Sequence, residues 1–157
     1  MRKKILISTG GSGGHVVPAL ILSDHLKEKF DIFLTSDQRG LKYIEGDVNN
    51  LNIMNVLPIS RNIFLIPWNI ILFFFAIIKS LFLIKKNKIK IIISTGGYMS
   101  FPVCIAAKVA FCKIILFEPN MVIGRSNLFL LKACSTILCY SNKIKNFPDK
   151  FKYKIKL

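Results

Sequence analysis

Short β-branched runs alternate with longer apolar stripes along this chain. Residues 4–9, Lys4-Ile-Leu-Ile-Ser-Thr9, form one such run and end in a glycine cluster. Residues 18–30 follow, with Ala19, Leu22, Leu26 and Phe30 at helical spacing, so the opening predicts a strand, a loop and a helix. Residues 32–35 and 53–57 read as further short strands, and the polar, asparagine-rich stretch 36–52 connects them with room for one more short element. Residues 89–97, Ile89-Lys-Ile-Ile-Ile-Ser-Thr-Gly-Gly97, then repeat the opening phrase Ile5-Leu-Ile-Ser-Thr-Gly-Gly11, with a second helical pattern over 100–110 behind it. A strand at 113–117, a helix at 124–133 and a strand at 136–139 complete the pattern before a lysine-rich tail. Strands that are continuously apolar and alternate with helices predict an α/β domain with a parallel sheet covered on both faces. In such sheets a ligand sits at the carboxyl ends of the strands, so the loops at Gly10, Gly96 and Glu118 are expected to gather at one site.

Composition changes this picture at one place. The 157 residues fit a single domain, and 23 Lys and Arg against 8 Asp and Glu give a net charge of +15 although 52% of residues are hydrophobic. That combination excludes a disordered basic arm and narrows the partners to an anionic membrane, an anionic substrate or nucleic acid. Residues 63–84 are almost wholly apolar and contain Trp68 and Phe73-Phe-Phe75, with Lys79, Lys85, Lys86, Lys88 and Lys90 at and beyond their end. A helix starting near Pro67 keeps only a narrow polar strip near Asn69 and Ser80. One face can enter the core and the other needs a partner. Docking on a membrane surface is preferred over spanning, because a spanning segment would separate two strand–helix units that share one sheet. The tail, with Lys143, Lys145, Lys150, Lys152, Lys154 and Lys156, reads as supplementary positive charge near the membrane; no nucleic-acid-binding signature accompanies it. Cys104, Cys112, Cys134 and Cys139 show no C-x-x-C pairing, so reduced buried thiols are expected rather than a metal site or a disulfide framework. The apolar stretch 5–7 behind Arg2, Lys3 and Lys4 is too short for a signal peptide, which predicts a cytoplasmic chain.

The chemistry-bearing residues cluster in the loops. Gly10-Gly-Ser-Gly-Gly-His15 can bring backbone N–H groups close to an oxygen-rich ligand at a helix start; it is neither a Walker A loop nor G-x-G-x-x-G, since Val16 stands where the last glycine would. His15, directly after the glycines, is placed either to take a proton from an attacking hydroxyl or to cap and pack the helix. His25 lies among Asp24, Lys27 and Glu28 and reads as a solvated surface residue. In Gly96-Gly-Tyr-Met-Ser-Phe-Pro102, Tyr98 and Ser100 can bond a sugar or phosphate, and Ser100 can equally cap the next helix. Glu118-Pro-Asn120 adds a carboxylate that either meets ligand or bridges loops.

These three segments, the last extended through Gly124-Arg-Ser-Asn127, resemble the N-terminal half of the MurG family, peripheral-membrane transferases that add N-acetylglucosamine to lipid I. The resemblance implies a GT-B fold of two Rossmann-like domains, with this chain as the N-terminal acceptor and membrane-binding domain over 1–157 and the donor-binding domain absent from it. It implies a metal-independent, cofactor-free, inverting transfer from UDP-GlcNAc to the muramyl 4-hydroxyl on the cytoplasmic face of the bacterial inner membrane. By position, His15 is the base or acceptor-positioning residue. Ser12, Gly13, Gly14 and Asn120 meet the UDP-GlcNAc side, and Gly96, Gly97, Tyr98, Ser100 and Glu118 the acceptor side. Trp68, Ile71, Leu72, Phe74, Phe75, Lys79, Lys85 and Lys86 match the membrane patch. Ser12 stands where the family usually has threonine, and Phe117-Glu-Pro-Asn120 where it has His-Glu-Gln-Asn, so Pro119 removes an amide and a backbone donor. The implied partners are UDP-GlcNAc, lipid I, an anionic membrane surface and a separate donor-binding domain. The rival expectation is a noncatalytic membrane module binding polyprenyl diphosphate or anionic lipid.

Overall fold

The computed structural model describes residues 2–45, 50–54 and 63–157. Strand and helix alternate as β1 (Lys3–Ser8), α1 (Gly13–Leu26), β2 (Phe30–Ser36), α2 (Gln38–Leu41), β3 (Leu51–Ile53), α3 (Ile66–Lys86) and β4 (Ile91–Ser94). They continue as α4 (Ser100–Val109), β5 (Lys113–Glu118), α5 (Arg125–Leu130), β6 (Thr136–Cys139) and β7 (Ile155–Lys156). The sheet runs β3-β2-β1-β4-β5-β6-β7 and every described pairing is parallel, with Ile5 to Ser8 of β1 in register with Ile91 to Ser94 of β4. Chain order reverses between β1 and β4, which creates a crevice at the carboxyl ends of these strands. This is the Rossmann-like α/β sheet expected from the alternation of apolar runs.

Alternating strand side chains feed two cores. Leu6, Ile92, Ile114, Leu116 and Ile137 pack on the α3, α4 and α5 face, and Ile5, Ile7, Leu34 and Ile93 meet Ala19 of α1 on the other. α3 lies on the domain with Ala76, Ser80 and Ile84 buried, spaced four apart, and packs against α4, where Cys104, Ala106 and Ala107 are also buried. Small residues facing small residues let the two helices approach closely. Ser80 therefore faces inward, its hydroxyl donating to Ala76 O at 2.7 Å, so its polarity is absorbed within the helix and does not belong to a solvated strip. The outer face of α3 is apolar: Trp68, Ile71, Phe74, Phe75, Ile78 and Phe82 are all exposed. Two members of the expected patch differ from it. Leu72 is half-buried, and Lys79 is exposed but donates its Nζ to Ile53 O at 2.7 Å, which ties α3 to the end of β3.

Three boundaries depart from the sequence pattern. α1 begins in the glycine loop itself, with Ser12 O accepting from His15 N and Val16 N, so Pro18 lies inside the helix. Pro18 is the sixth residue of the helix, past the amides that lack intrahelical partners, so it withholds one i→i−4 hydrogen bond from the second turn. β3 is Leu51–Ile53, and residues 55–57 of the expected strand lie outside the described residues. The lysine-rich tail, read from the sequence only as supplementary positive charge, also carries folded structure. Ile144 and Phe147 are buried, a 3-10 turn spans Asp149–Lys154, and β7 adds a strand beside β6. Lys154 is 9% exposed, its Nζ donating to Leu131 O at 2.6 Å and Cys134 O at 2.7 Å, so the charge caps carbonyls past the end of α5. All four cysteines are free thiols, and burial pushes Cys104 up to about 12 and Cys139 up to about 11.

One carboxylate ties the ends of β1 and β2 together. Asp37, 3% exposed, accepts from Gly11 N at 2.8 Å and Gly40 N at 2.9 Å, and from Arg39 Nε at 3.0 Å and Nη2 at 2.7 Å. Burial pushes its carboxyl up, but the Gly11 amide, the Arg39 guanidinium and the Gly40 amide together outweigh burial and hold it below its ordinary 3.8.

The stability this carboxylate contributes is complete above its ordinary range and is lost as pH falls through its depressed folded-state value. Asp37→Asn is expected to lower stability by about 2 kcal/mol at neutral pH. Urea titrations across pH should show the gap between the two proteins closing only at pH below 3.8. Lys154→Met, which leaves two carbonyls without their donor, is expected to cost ~1–3 kcal/mol in the same titration. Lys152→Met, at an exposed pair with Asp149, should shift it by less than ~0.5 kcal/mol.

Candidate functional site

A cleft of about 890 Å³ opens at the carboxyl ends of β1 and β4. The glycine loops after these two strands form its floor, contributing Gly10, Gly11 and Ser12 on one side and Gly96, Gly97 and Tyr98 on the other. Their approach is close enough to require glycine. A Cβ on Gly97 would stand 2.7 Å from Gly10 O, and one on Gly96 would stand 2.9 Å from His15 Cε1; both residues have positive φ, +85° and +101°.

His15 bridges the two halves of the sheet. Its Nδ1 lies 2.8 Å from Thr95 O, and a carbonyl only accepts, so Nδ1 carries the hydrogen. In the neutral ring Nε2 is then the acceptor, the tautomer a proton-abstracting residue needs. The ring is half-buried and lines the cleft. A residue on α1 is thereby oriented by the end of β4: His15 packs against the second glycine loop, and its ring lines the cleft. His25 is exposed, bonded only to Ile21 O one turn back, as its charged neighbours suggested.

The other expected ligand residues divide. Ser12 and Tyr98 are exposed and line the cleft, Tyr98 at 44%. Gly13 and Gly14 form the first turn of α1 and do not line it. Ser100 is fully buried, and its hydroxyl accepts from Ser94 Oγ at 2.6 Å while Ser94 Oγ accepts from Gly96 N at 3.2 Å. It supports the second glycine loop from beneath, makes no cap hydrogen bond to α4 and does not line the cleft.

Glu118 is likewise a brace, and it does not line the cleft. At 1% exposure, Oε1 accepts from Asn120 N at 3.2 Å and Asn120 Nδ2 at 3.0 Å, and Oε2 from Gly124 N at 2.7 Å and Asn127 Nδ2 at 3.0 Å. The loop-bridging alternative is the one the structure takes. Asn120 is exposed with its amide committed to Glu118 and does not line the cleft. Asn127 does line it. Its Nδ2 faces two acceptors, Glu118 Oε2 and Phe117 O, which fixes the amide orientation and leaves the buried Oδ1 an acceptor without a partner.

Sequence reasoning missed three contributors: Arg39, Arg125 and an apolar wall of Ile66, Ile70, Phe73, Phe101 and Phe129. Arg39 had a usable signal, since Asp37-Gln-Arg-Gly40 follows the end of β2 as the glycine loops follow theirs. The wall had none, because its members come from three separate helices.

Comparison with known proteins agrees with this architecture. Residues 5–139 match the glycosyltransferase family 28 N-terminal domain. The chain is 57% identical over all 157 residues to a UDP-N-acetylglucosamine–N-acetylmuramyl-(pentapeptide) pyrophosphoryl-undecaprenol N-acetylglucosamine transferase of Pelagibacter ubique, covering 44% of that protein. It is 32% identical over 154 residues to the protein of the same name from Rickettsia felis, covering 98% of this chain and 42% of the relative. The chain thus spans less than half the length of these relatives. The crystal structure of Acinetobacter baumannii MurG superposes on 93% of the chain, and on 43% of its own, with a TM-score of 0.74 at 19% identity, which shows the shared fold. A switch-point cleft floored by paired glycine loops, found inside a segment that matches over most of its length, means that this chain belongs to glycosyltransferase family 28 as its N-terminal domain.

Proposed function

We propose that the chain is the acceptor-binding half of an inverting transferase that moves GlcNAc from UDP-GlcNAc to the muramyl 4-hydroxyl of lipid I. The observation that carries this reading is His15, held by Thr95 O over the second glycine loop with Nε2 as its remaining acceptor in the cleft. In the transfer, the 4-hydroxyl oxygen bonds to C1 of GlcNAc as the bond from C1 to the UDP oxygen breaks, and the hydroxyl proton passes to His15 Nε2. Displacement from the face opposite UDP inverts C1. Ser12 and Tyr98 stand at the rim to position the two sugars, and the unpartnered Asn127 Oδ1 offers an acceptor to a bound hydroxyl. UDP-GlcNAc requires a donor-binding half beyond these residues, so the 157-residue chain alone is expected to be nearly inactive.

Peripheral docking on the cytoplasmic face of the membrane completes the reading. α3 is 21 residues long with mean hydropathy 2.0, sufficient by length and composition to cross a bilayer. Its packing on α4 and its place between β3 and β4 of one sheet support lying on the surface instead. Its outward Trp68, Ile71, Phe74 and Phe75 suit the acyl boundary, and Lys85 and Lys86 suit anionic headgroups.

The test is GlcNAc transfer to a lipid I analogue by the chain mixed with a donor domain from a full-length relative. Activity is expected only in the mixture, with His15→Ala lowering it ~100-fold or more and His25→Ala leaving it unchanged. Turnover by the chain alone, or full activity of His15→Ala in the mixture, would overturn the assignment. In co-sedimentation with vesicles containing anionic lipid, Trp68→Ser combined with Phe75→Ser is expected to weaken binding at least ~tenfold, since each large apolar side chain contributes ~1.5–3 kcal/mol on burial. Raised salt should weaken it further through Lys85 and Lys86.

A further inference from the structure

Two arginines line the cleft, and the sheet sets how far apart they stand. Arg39 follows β2 and Arg125 follows β5, and the strand order puts β1 and β4 between them. Three strand spacings of ~4.8 Å separate their elements by about 14 Å. The two glycine loops and His15 lie in that interval, and among the described residues lining the cleft there is no carboxylate. A diphosphate, whose phosphorus atoms share one bridging oxygen, does not span such a distance. The cleft therefore has two separate places for negative charge, one on each side of His15.

The two places differ. Arg125 shares α5 with Phe129, whose ring contacts Phe101 of α4 with centroids 6.2 Å apart, so that flank is apolar. Arg39 stands over the first glycine loop, where its Nη2 would lie 3.6 Å from a Cβ on Gly11. Asp37 accepts from Nε at 3.0 Å and Nη2 at 2.7 Å along one edge and so fixes the guanidinium plane. One hydrogen on Nη2 and both on Nη1 remain, and the Nη1–Nη2 edge is a parallel fork that matches a carboxylate.

A lipid-linked muramyl peptide brings a second kind of anion besides its diphosphate, the carboxylates of its peptide. The peptide hangs from the sugar carbon next to the one bearing the reacting hydroxyl, and the diphosphate leaves from across the ring. With the 4-hydroxyl at His15 and the lipid end on the apolar flank, the peptide leaves the sugar toward β2. Half of the interval between the arginines, about 7 Å, is bridged by two extended residues at ~3.3–3.6 Å each. We propose that Arg39 is a carboxylate receptor for the acceptor's peptide, its Nη1–Nη2 edge holding one peptide carboxylate beside the first glycine loop. The inference rests on the acceptor-binding reading and deepens it: the site reads the peptide as well as the sugar.

The experiment compares N-acetylmuramyl pentapeptide bearing free carboxyl groups with the same compound after every carboxyl is converted to the amide. Neither carries lipid or diphosphate. Calorimetric titration of the 157-residue chain should show the free acid binding about tenfold tighter, the effect of one charge-assisted pair. Arg39→Gln should remove that advantage without changing the affinity for the amide. Arg39→Lys, which keeps the charge but not the fork, should recover only part of it. Lys42→Gln, the same charge change at an exposed residue that does not line the cleft, should leave both affinities as they are. In the mixture with a donor domain, Arg39→Gln should raise KM about tenfold for a lipid I analogue with free carboxyls and leave kcat within about twofold. Neither constant should change for the amidated analogue. No binding of the free acid, equal affinity for acid and amide, or an Arg39→Gln effect of the same size on both would each overturn the proposal, as would a raised KM for UDP-GlcNAc in place of the acceptor. If the carboxylate preference holds while the mixture transfers no GlcNAc, the transferase reading fails and the carboxylate site stands. If transfer proceeds equally well to acid and amide, the carboxylate site fails and the transferase reading stands.

Discussion

Everything at the candidate site depends on how closely two backbones approach each other where β1 and β4 lie side by side. Parallel strands that are neighbours in space but far apart in sequence end at the same level, so the loops leaving them compete for one volume. The contact between Gly97 and the carbonyl of Gly10 is possible because position 97 carries no Cβ, and the imidazole of His15 occupies the space that a Cβ on Gly96 would take. The histidine is then oriented by a carbonyl from the far side of the switch point. Removing either glycine would disturb the floor of the cleft and the placement of His15 together, so backbone conformation and the side chain lining the cleft cannot be separated here.

Around this contact the protein spends its buried charges on bracing. Asp37 fastens the first glycine loop to the end of β2, and Glu118 fastens the loop after β5 to the start of α5. Lys154 fastens the last turns of the chain to the carbonyls past α5. Each is a charged group with several backbone partners, the arrangement that makes a buried charge tolerable. The side chains left for ligand are neutral or cationic, which suits an anionic substrate.

α3 carries a different compromise. Its buried positions are Ala76, Ser80 and Ile84, while the large apolar side chains of Trp68, Ile71, Phe74, Phe75, Ile78 and Phe82 are exposed. In water such a face is unfavourable, and under the proposed docking the adjoining lysines and the apolar end of the cleft would meet a lipid surface. The same helix thus contributes to the core, to the cleft wall and to the outer patch.

The α/β class, the glycine loops, His15 and the apolar character of α3 were legible in the sequence, because each is written in local periodicity or in a contiguous motif. The roles of Glu118 and Ser100 were not, since a carboxylate or hydroxyl beside a loop looks the same whether it faces a ligand or a ring of amides. A lysine run likewise carries no sign that one of its members, Lys154, finds two carbonyls 20 and 23 residues back. The sequence by itself determined which segments become strands and helices and which loops carry glycine, because those choices depend on neighbours a few residues away. Only the tertiary structure decided that Arg39, Arg125 and an aromatic wall from three helices share one cleft, because parallel pairing joins strands that are distant in the chain, and proximity created that way leaves no local trace.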